Sequence, residues 1–584
     1  YTTDVSGTDD TASGNSAYGY QALDAITTGD NNVAIGLSAL GANTTGAGNI
    51  AVGMSSLDAN TTGGTNTGIG HYALSANTTA SFNTAVGNAS MVTNTVGHSN
   101  TAVGSSSLNA LTTGDYNVAI GFNAGQLMTE GDRSVAIGPF ALDAATTGQY
   151  NVGVGSSALG LVTTSGNNVA VGTSALAANT AAENTAIGHS AAQSNTSGVR
   201  IIAIGAGAYD SSDTENDNIA IGFDAMTTNT AGGSENIAIG NYALDALTSG
   251  DKNVAVGQNA LGANNSGGSN TSVGHNSLDA NTTGSYNTAF GRDSLGTNTT
   301  ASNNTAYGYG TLQLNQTGAS NTAIGVDALG NNLASNNTAV GFQALIANTT
   351  GDANVAVGYQ SMITNTTGTD NTAIGKESLK ANTTGTNNTA LGRQALFSNT
   401  TGASNVAVGL NSLKSNTTGT RNIAIGQSSY QNSDTENDNL AIGYNAMTTD
   451  TAGGQFNTAI GNYAMDALTS GDNNTAVGHQ ALTAATTGIS NTAFGHTALA
   501  STQTGGYNTA VGYEALNQNL AANNTAVGVY ALKANTTGTR NIAIGHAAYD
   551  NSDTENDNLA IGYQAMTANT AGGTYNIAIG NYAL

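Results

Sequence analysis

The chain has no cysteine, no tryptophan, one proline and only 11 Lys and Arg among its 584 residues. Without cysteine there are no disulfides, thiolate nucleophiles or Cys-type zinc centres. The few cations are scattered among 36 acidic residues for a net charge of −25, which argues against a groove for nucleic-acid phosphates. Charged residues make up 8%, where a globular chain carries about 25%. No apolar run reaches the ~18 residues of a membrane span, and Tyr1-Thr2-Thr3 opens no signal-peptide pattern. Abundant Asn, Thr, Ala and Gly at low charge hints at disorder. A Val or Ile at regular intervals argues against it.

What stands in place of these features is a repeat. The unit N-x-A-(V/I)-G runs from Asn15-Ser16-Ala17-Tyr18-Gly19 to Asn576-Ile577-Ala578-Ile579-Gly580, 34 times without a linker. Its glycine recurs every 17 residues from Gly19 to Gly172. Later steps shorten to 16 at Gly172–Gly188, Gly325–Gly341 and Gly512–Gly528, and lengthen to 18 at Gly222–Gly240, Gly443–Gly461 and Gly562–Gly580. The segment Ala208–Gly222 returns at Ser429–Gly443 and Ala548–Gly562, at separations of 221 and 119 residues that are whole multiples of 17. Length changes that cancel suggest a register held by a neighbouring chain, although duplication of a gene block leaves the same trace. The organisation reads as an irregular leading coil over 1–14 and a continuous solenoid over 15–584. The solenoid stops mid-repeat, as a window on a longer polypeptide or an end-stacking subunit would.

The apolar pattern is that of short strands. Before each glycine sits one large apolar residue, such as Ile35, Val52 or Phe290, and two positions earlier in most units a Thr, Val or Ile, occasionally Ser. This alternation has the period of a strand. The residue between them is Ala, otherwise Gly68, Gly153 or Ser272, so this face is expected to approach another backbone closely. A second run, typically Ala39-Leu40, ends in Leu in 23 units, Met in six and Tyr in three. The following A-N-T-T-G reads as a turn, with Asn and Gly supplying left-handed conformations. Frequent Gly and β-branched residues oppose helix. The fold class is therefore all-β, a β-solenoid or parallel β-roll of 34 stacked coils. Coils about 4.8 Å apart make a rod of about 160 Å, in which each buried Asn bonds its own copy in the next coil. With so little apolar mass per coil, the alanine face is expected to be buried on a partner chain.

Units such as Asn32-Val33-Ala34-Ile35-Gly36 and Asn253-Val254-Ala255-Val256-Gly257 resemble the S-V-A-I-G core of trimeric autotransporter adhesin heads and similar phage tail-fibre repeats. The resemblance covers all 34 units, each motif being only five residues long. It implies a left-handed parallel β-roll with three chains packed around an axis. The present repeat is longer than the family's by its A-L-x-A-N-T-T-G half, and no coiled-coil heptads or anchor strands accompany it.

Candidate chemistry is sparse. The segment Asp213-Thr214-Glu215-Asn216-Asp217-Asn218 recurs at 434–439 and 553–558. If extended, Asp213, Glu215 and Asp217 share a face that offers three carboxylates to Ca²⁺, as do Asp434, Glu436 and Asp438, and Asp553, Glu555 and Asp557. The competing reading is a solvated acidic turn that blocks wrong register. Six of seven histidines follow a strand glycine, a position shared with Tyr, Asn, Gln, Lys and Arg, which marks it as surface. No unique triad is present, so no enzyme and no further cofactor are expected. N-T-T triplets match the glycosylation acceptor pattern, yet turn chemistry already demands them. Adjacent Thr44 and Thr45 point to opposite faces, against an ice-binding rank. The expected function is a structural filament, stalk or spacer with an adhesin-like surface. It would lie outside the cell or on a cell or virion surface, and its partners would be copies of itself, as a lateral homotrimer or stacked end to end. The alternative is an adhesin head or tail-fibre shaft that binds a cell-surface, matrix or glycan receptor.

Overall fold

Each N-x-A-(V/I)-G unit forms a three-residue strand, because alternating β-branched residues fit the pleat and the glycine that follows turns the chain. The computed structural model describes residues 3–4, 12–230, 232–449, 453–551, 553–567 and 572–584. Among them there is no helix. In the unit Tyr1–Arg292, β1 (Thr3–Asp4) lies antiparallel to β2 (Ser16–Tyr18), and from there parallel strands follow one per coil to β18 (Thr288–Phe290). In the unit Asp293–Leu584 the same parallel order runs from β19 (Thr305–Tyr307) to β35 (Ile577–Ile579). Each unit is thus a parallel β-solenoid of 17-residue coils. Of the expected leading coil over 1–14, residues 1–2 and 5–11 lie outside the described residues.

Register is identical from coil to coil: Val33 pairs with Ile50, Ala34 with Ala51 and Ile35 with Val52. Bonding between coils continues beyond the strands. Ser55 N donates to Leu37 O at 2.8 Å, Leu57 N to Ala73 O at 2.9 Å, Thr61 N to Thr78 O at 2.9 Å and Thr65 N to Ala47 O at 2.8 Å. Many backbone groups round the coil are therefore satisfied by the coils above and below. The 16- and 18-residue coils leave the strand ladder intact. Val169 pairs with Thr185 across the short coil, and Ile219 with Ile237 across the long one. The chain absorbs each change within its own turn, so its own strand ladder does not require the changes to cancel.

The alanines face the other way from the sequence expectation. Ala34, Ala51 and Ala85 are fully buried within the single chain, against the opposite wall that carries Leu40, Leu57 and Leu74. At Gly68 an added Cβ would lie 3.3 Å from Leu57 Cγ and 2.6 Å from Ser56 Oγ, which shows how little room this position has. Alanine fills the interior because the coil is thin. It is the flanking Val, Ile and Thr that point outward.

The turns also differ from expectation. Left-handed residues fall at Ser55, Leu57 and Thr65 of a typical coil and at neither Asn60 nor Gly63. These positions make the corners that aim Leu57 inward, and the bonds they make across coils offset a cost of about 1–2 kcal/mol per residue. At Gly63 the constraint is proximity instead, since a Cβ added there would sit 2.1 Å from Ala80 O, although Ala80 itself takes the same position one coil on. Gly53, which ends a strand, meets both constraints: its φ is +136° and a Cβ would sit 2.4 Å from Gly70 O.

Two buried asparagine ladders complete the interior. Asn49 N donates to Asn32 Oδ1 at 2.9 Å, and Asn49 Nδ2 donates to Gly63 O at 2.9 Å. From the turn, Asn60 Nδ2 donates to Asn43 Oδ1 and to the same Gly63 O, both at 2.9 Å. The expected bonding of Asn to its own copy is present, with the turn carbonyl as a second acceptor. The turn ladder stops at Asn94, because Leu111, Met128, Ala145 and Val162 occupy the next rungs. Asn94 Oδ1 is consequently a buried acceptor with no partner. Asn195, Asn229 and Asn416, followed by Ser212, Leu247 and Ser433, end their runs in the same way.

These ladder ends give a paired prediction. Asn60→Leu strands Asn43 Oδ1 and is expected to cost on the order of 1–3 kcal/mol. Asn94→Leu only moves an existing orphan to Asn77 and is expected to be nearly neutral. Amide exchange of the surrounding coils checks both, since solenoid coils open locally.

Candidate functional site

The acidic segments do not gather their carboxylates. Each of the three residues meets a different partner. Asp217 pairs with Arg200 one coil earlier, Nε to Oδ1 at 2.5 Å and Nη2 to Oδ2 at 2.8 Å. The same bidentate pairs join Arg421 to Asp438 and Arg540 to Asp557. Hydrogen bonds from the Arg421 guanidinium hold the Asp438 carboxyl below the usual carboxylate range. Asp213, Asp434 and Asp553 accept from the hydroxyls of Thr196, Thr417 and Thr536.

The glutamates turn inward. Glu215, Glu436 and Glu555 are 3%, 2% and 3% exposed, in a position where most coils have the turn glycine. Glu436 Oε2 accepts from Asp434 N at 2.7 Å and Thr435 N at 3.0 Å, and Oε1 accepts from Gly453 N at 3.1 Å. Glu215 and Glu555 make the same three bonds, with Gly232 and Gly572 in the place of Gly453. Burial pushes the Glu555 carboxyl up, but the N–H groups of Gly572, Asp553 and Thr554 outweigh it and hold the group below its ordinary value. Its contribution to stability is therefore present at neutral pH and lost as the pH falls through that lowered value. Among the described residues no group of three His, Cys, Asp or Glu is placed to hold a metal ion. For Ca²⁺ to bind across a segment it has to displace these internal partners.

The buried glutamates coincide with the long coils. Gly232, Gly453 and Gly572, which donate to them, lie in the 18-residue steps, each directly after an acidic coil. The buried tyrosine belongs to the same device. Tyr209 replaces the core leucine and accepts from Asn218 Nδ2 at 2.9 Å, while Ser212 replaces the turn asparagine. Burial holds the phenol well above its ordinary range. Arg200, Tyr209, Glu215, Asp217 and Gly232 thus tie three successive coils together. This was missed at the sequence level, although the signal was available: every 18-residue step follows an acidic segment.

Each unit turns an uncharged strand face outward. Over β2–β18 in one unit and β19–β35 in the other, its two files hold Val, Ile, Leu, Thr, Phe or Tyr, with one Ser, and not one charged residue. The side chains are half-buried to exposed, with Ile35 at 43% and Ile120 at 40%. Thr44, one of the doubled turn threonines, donates to Thr61 O at 3.0 Å and so serves the stack. Five of the six histidines that follow a strand glycine are exposed, and His71 is half-buried. A groove of about 580 Å³ between Gln126 and Ser194 is lined by Leu127, Leu161, Ala177 and Asp143. Asp143 is the one titratable side chain in its lining, so the groove does not supply an acid–base pair. No helix among the described residues is long and apolar enough to cross a membrane.

No protein-family model and no curated protein matches the chain.

Two predictions follow from the carboxylates. Glu436→Gln sets an amide donor against backbone N–H groups and is expected to cost on the order of 1–3 kcal/mol, seen as faster amide exchange in the coils around 434–453. Asp58, Asp143 and Asp245 follow the core leucine, and partial burial raises each carboxyl above its ordinary value. A raised carboxyl contributes stability below the unfolded value and loses it as the pH rises through the folded one. Asp58→Asn is therefore expected to raise thermal stability at neutral pH, with the gain vanishing as the pH falls below 3.8.

Proposed function

We propose that this protein is a non-enzymatic structural element, a rigid filament or spacer outside the cell or on a cell or virion surface. In this reading, copies associate side by side through the outward strand face. The observation that carries it is that face: a parallel sheet, uncharged in every strand and uncovered by its own chain. Parallel sheets are otherwise covered on both faces, and an uncharged surface of Val, Ile, Leu and Thr side chains left open in this way marks an interaction site. With a net charge of −25, copies repel one another except where charge is excluded. Identical rungs at the same spacing let the Val and Ile files of one copy seat against those of another. If each coil leaves roughly 100 Å² of apolar surface, about eight coils supply the ~800 Å² per partner of a stable interface.

The association differs from the one expected at the sequence level, since the alanines are already enclosed and the outer aliphatic files take their place. Three copies around an axis are favoured by the resemblance to trimeric adhesin heads. An adhesin or tail-fibre shaft is the same architecture with a receptor added, and the exposed rings considered below favour that second reading.

The test is the number of chains in cross-section, from cryo-EM or mass per unit length of purified particles. Three chains are expected, and a single chain overturns lateral assembly. Val118→Lys with Ile120→Lys, repeated at Val135 and Ile137, is expected to weaken association while the circular dichroism of the strands is retained. Unchanged association in that variant overturns this face as the contact.

A further inference from the structure

Along one flank of the unit Asp293–Leu584, side chains from the two positions after the strand glycine form an unbroken file of rings. It runs over nine successive coils from Tyr444 to Tyr582, each ring touching the next at centroid distances of 5.1 to 6.1 Å. His479, His496 and Tyr513 stack nearly parallel, at 16° and 19°, and Tyr444 meets Tyr463 edge-on at 84°. The repeat does not make such a file by default. At the same two positions elsewhere, rings meet in pairs, as in Phe122–Phe140 and Phe342–Tyr359.

The file is open to solvent: Tyr513 and Tyr563 are each 41% exposed and Tyr444 40%. In most of these coils the residue beside the ring is an amide or hydroxyl, as in Tyr444-Asn445, His479-Gln480, His496-Thr497 and Tyr563-Gln564. The opposite charges of Glu514 and Lys533, also beside the file, cancel in a 2.6 Å pair. Asp466 and Asp550 lie close enough to act on Tyr463 and Lys533 electrostatically, so the surroundings are neutral to acidic.

We propose that this file is a binding track for an extended, uncharged polysaccharide. The rings present apolar edges together with phenol and imidazole groups, and with the neighbouring amides these meet the C–H and hydroxyl groups of a sugar chain. A polymer of identical units suits a track of identical steps, since many weak contacts then act together on one chain. Polyanions are disfavoured by the acidic surroundings. The track lies beside the strand face, so the inference does not depend on lateral assembly.

The test uses the full chain in affinity gels containing hydroxyethylcellulose, with pull-down on insoluble cellulose and chitin. The wild type is expected to be retarded. The triple variant His496→Ala, Tyr513→Ala, Tyr563→Ala is expected to bind at least about tenfold more weakly. Phe82→Ala with Tyr286→Ala, which removes exposed rings outside the file, is expected to bind as the wild type does. Matching circular dichroism and an unchanged number of chains in cross-section separate loss of the track from loss of fold or assembly. Equal binding by the triple variant overturns the file as the site. Absence of binding to all three glucan and chitin probes overturns the ligand class, as does retention by polylysine in their place.

Discussion

Stacking at the strand spacing is the constraint on which everything else in this protein rests. Coils bond to their neighbours around their circumference, as Ser55 N does to Leu37 O and Thr61 N to Thr78 O, while some corner groups bond within the coil, as Asn60 N does to Leu57 O. The distance between coils is then fixed by hydrogen bonds, and any side chain pointing along the axis has to fit within that distance. Gly53 is a glycine for this reason, because a Cβ there would lie 2.4 Å from a carbonyl oxygen in the next coil. The asparagine ladders follow from the same rule. An interior too thin for large side chains is held by amides whose oxygen and nitrogen each find a partner at the same repeat.

The three acidic modules show how such a stack tolerates change. The turn glycine gives way to Ala80 or Ala301 with the 17-residue step unchanged. In the acidic modules a glutamate takes its place, the next coil gains one residue, and the carboxylate binds the N–H groups of both coils. A tyrosine fills the core where leucine and asparagine stood, and an exposed bidentate arginine pair ties the preceding coil to the acidic one. Exposed ion pairs contribute little to stability, so most of the hold comes from the buried glutamate and phenol. The unpaired Oδ1 atoms of Asn195 and Asn416, where Ser212 and Ser433 end the turn ladder, are a local cost of inserting the module.

Because the interior is saturated by its own repeats, what the molecule can do lies on its outside. The coil presents two kinds of surface. The strand face is uncharged and uniform, which suits contact with more of the same. The flank after the strand glycine varies from coil to coil, and over nine coils of the second unit it has become a continuous file of rings. Uniformity suits assembly and variation suits recognition, and the repeat keeps the two on separate faces.

The period, the strands, the all-β solenoid and the bonding of Asn to its own copy were legible in the sequence, because each depends on residues at a fixed offset along the chain. What the sequence left undetermined was direction. Alternation of Val, Ala and Ile shows two faces without saying which one is inside, and only the closed coil, with Leu57 across from the strand, places the small residue within and the large ones without. The left-handed corners at Ser55, Leu57 and Thr65 were hidden for a similar reason, since bonds to neighbouring coils hold ordinary residues in a conformation their own preferences oppose. The acidic segments gave their spacing but not their partners: Asp217 and Glu215 alternate like a cation site, yet one turns outward to an arginine 17 residues away and the other inward to a glycine 17 residues on. Contacts along one coil are written in the sequence, whereas contacts across coils depend on a three-dimensional closure that only the tertiary structure decides.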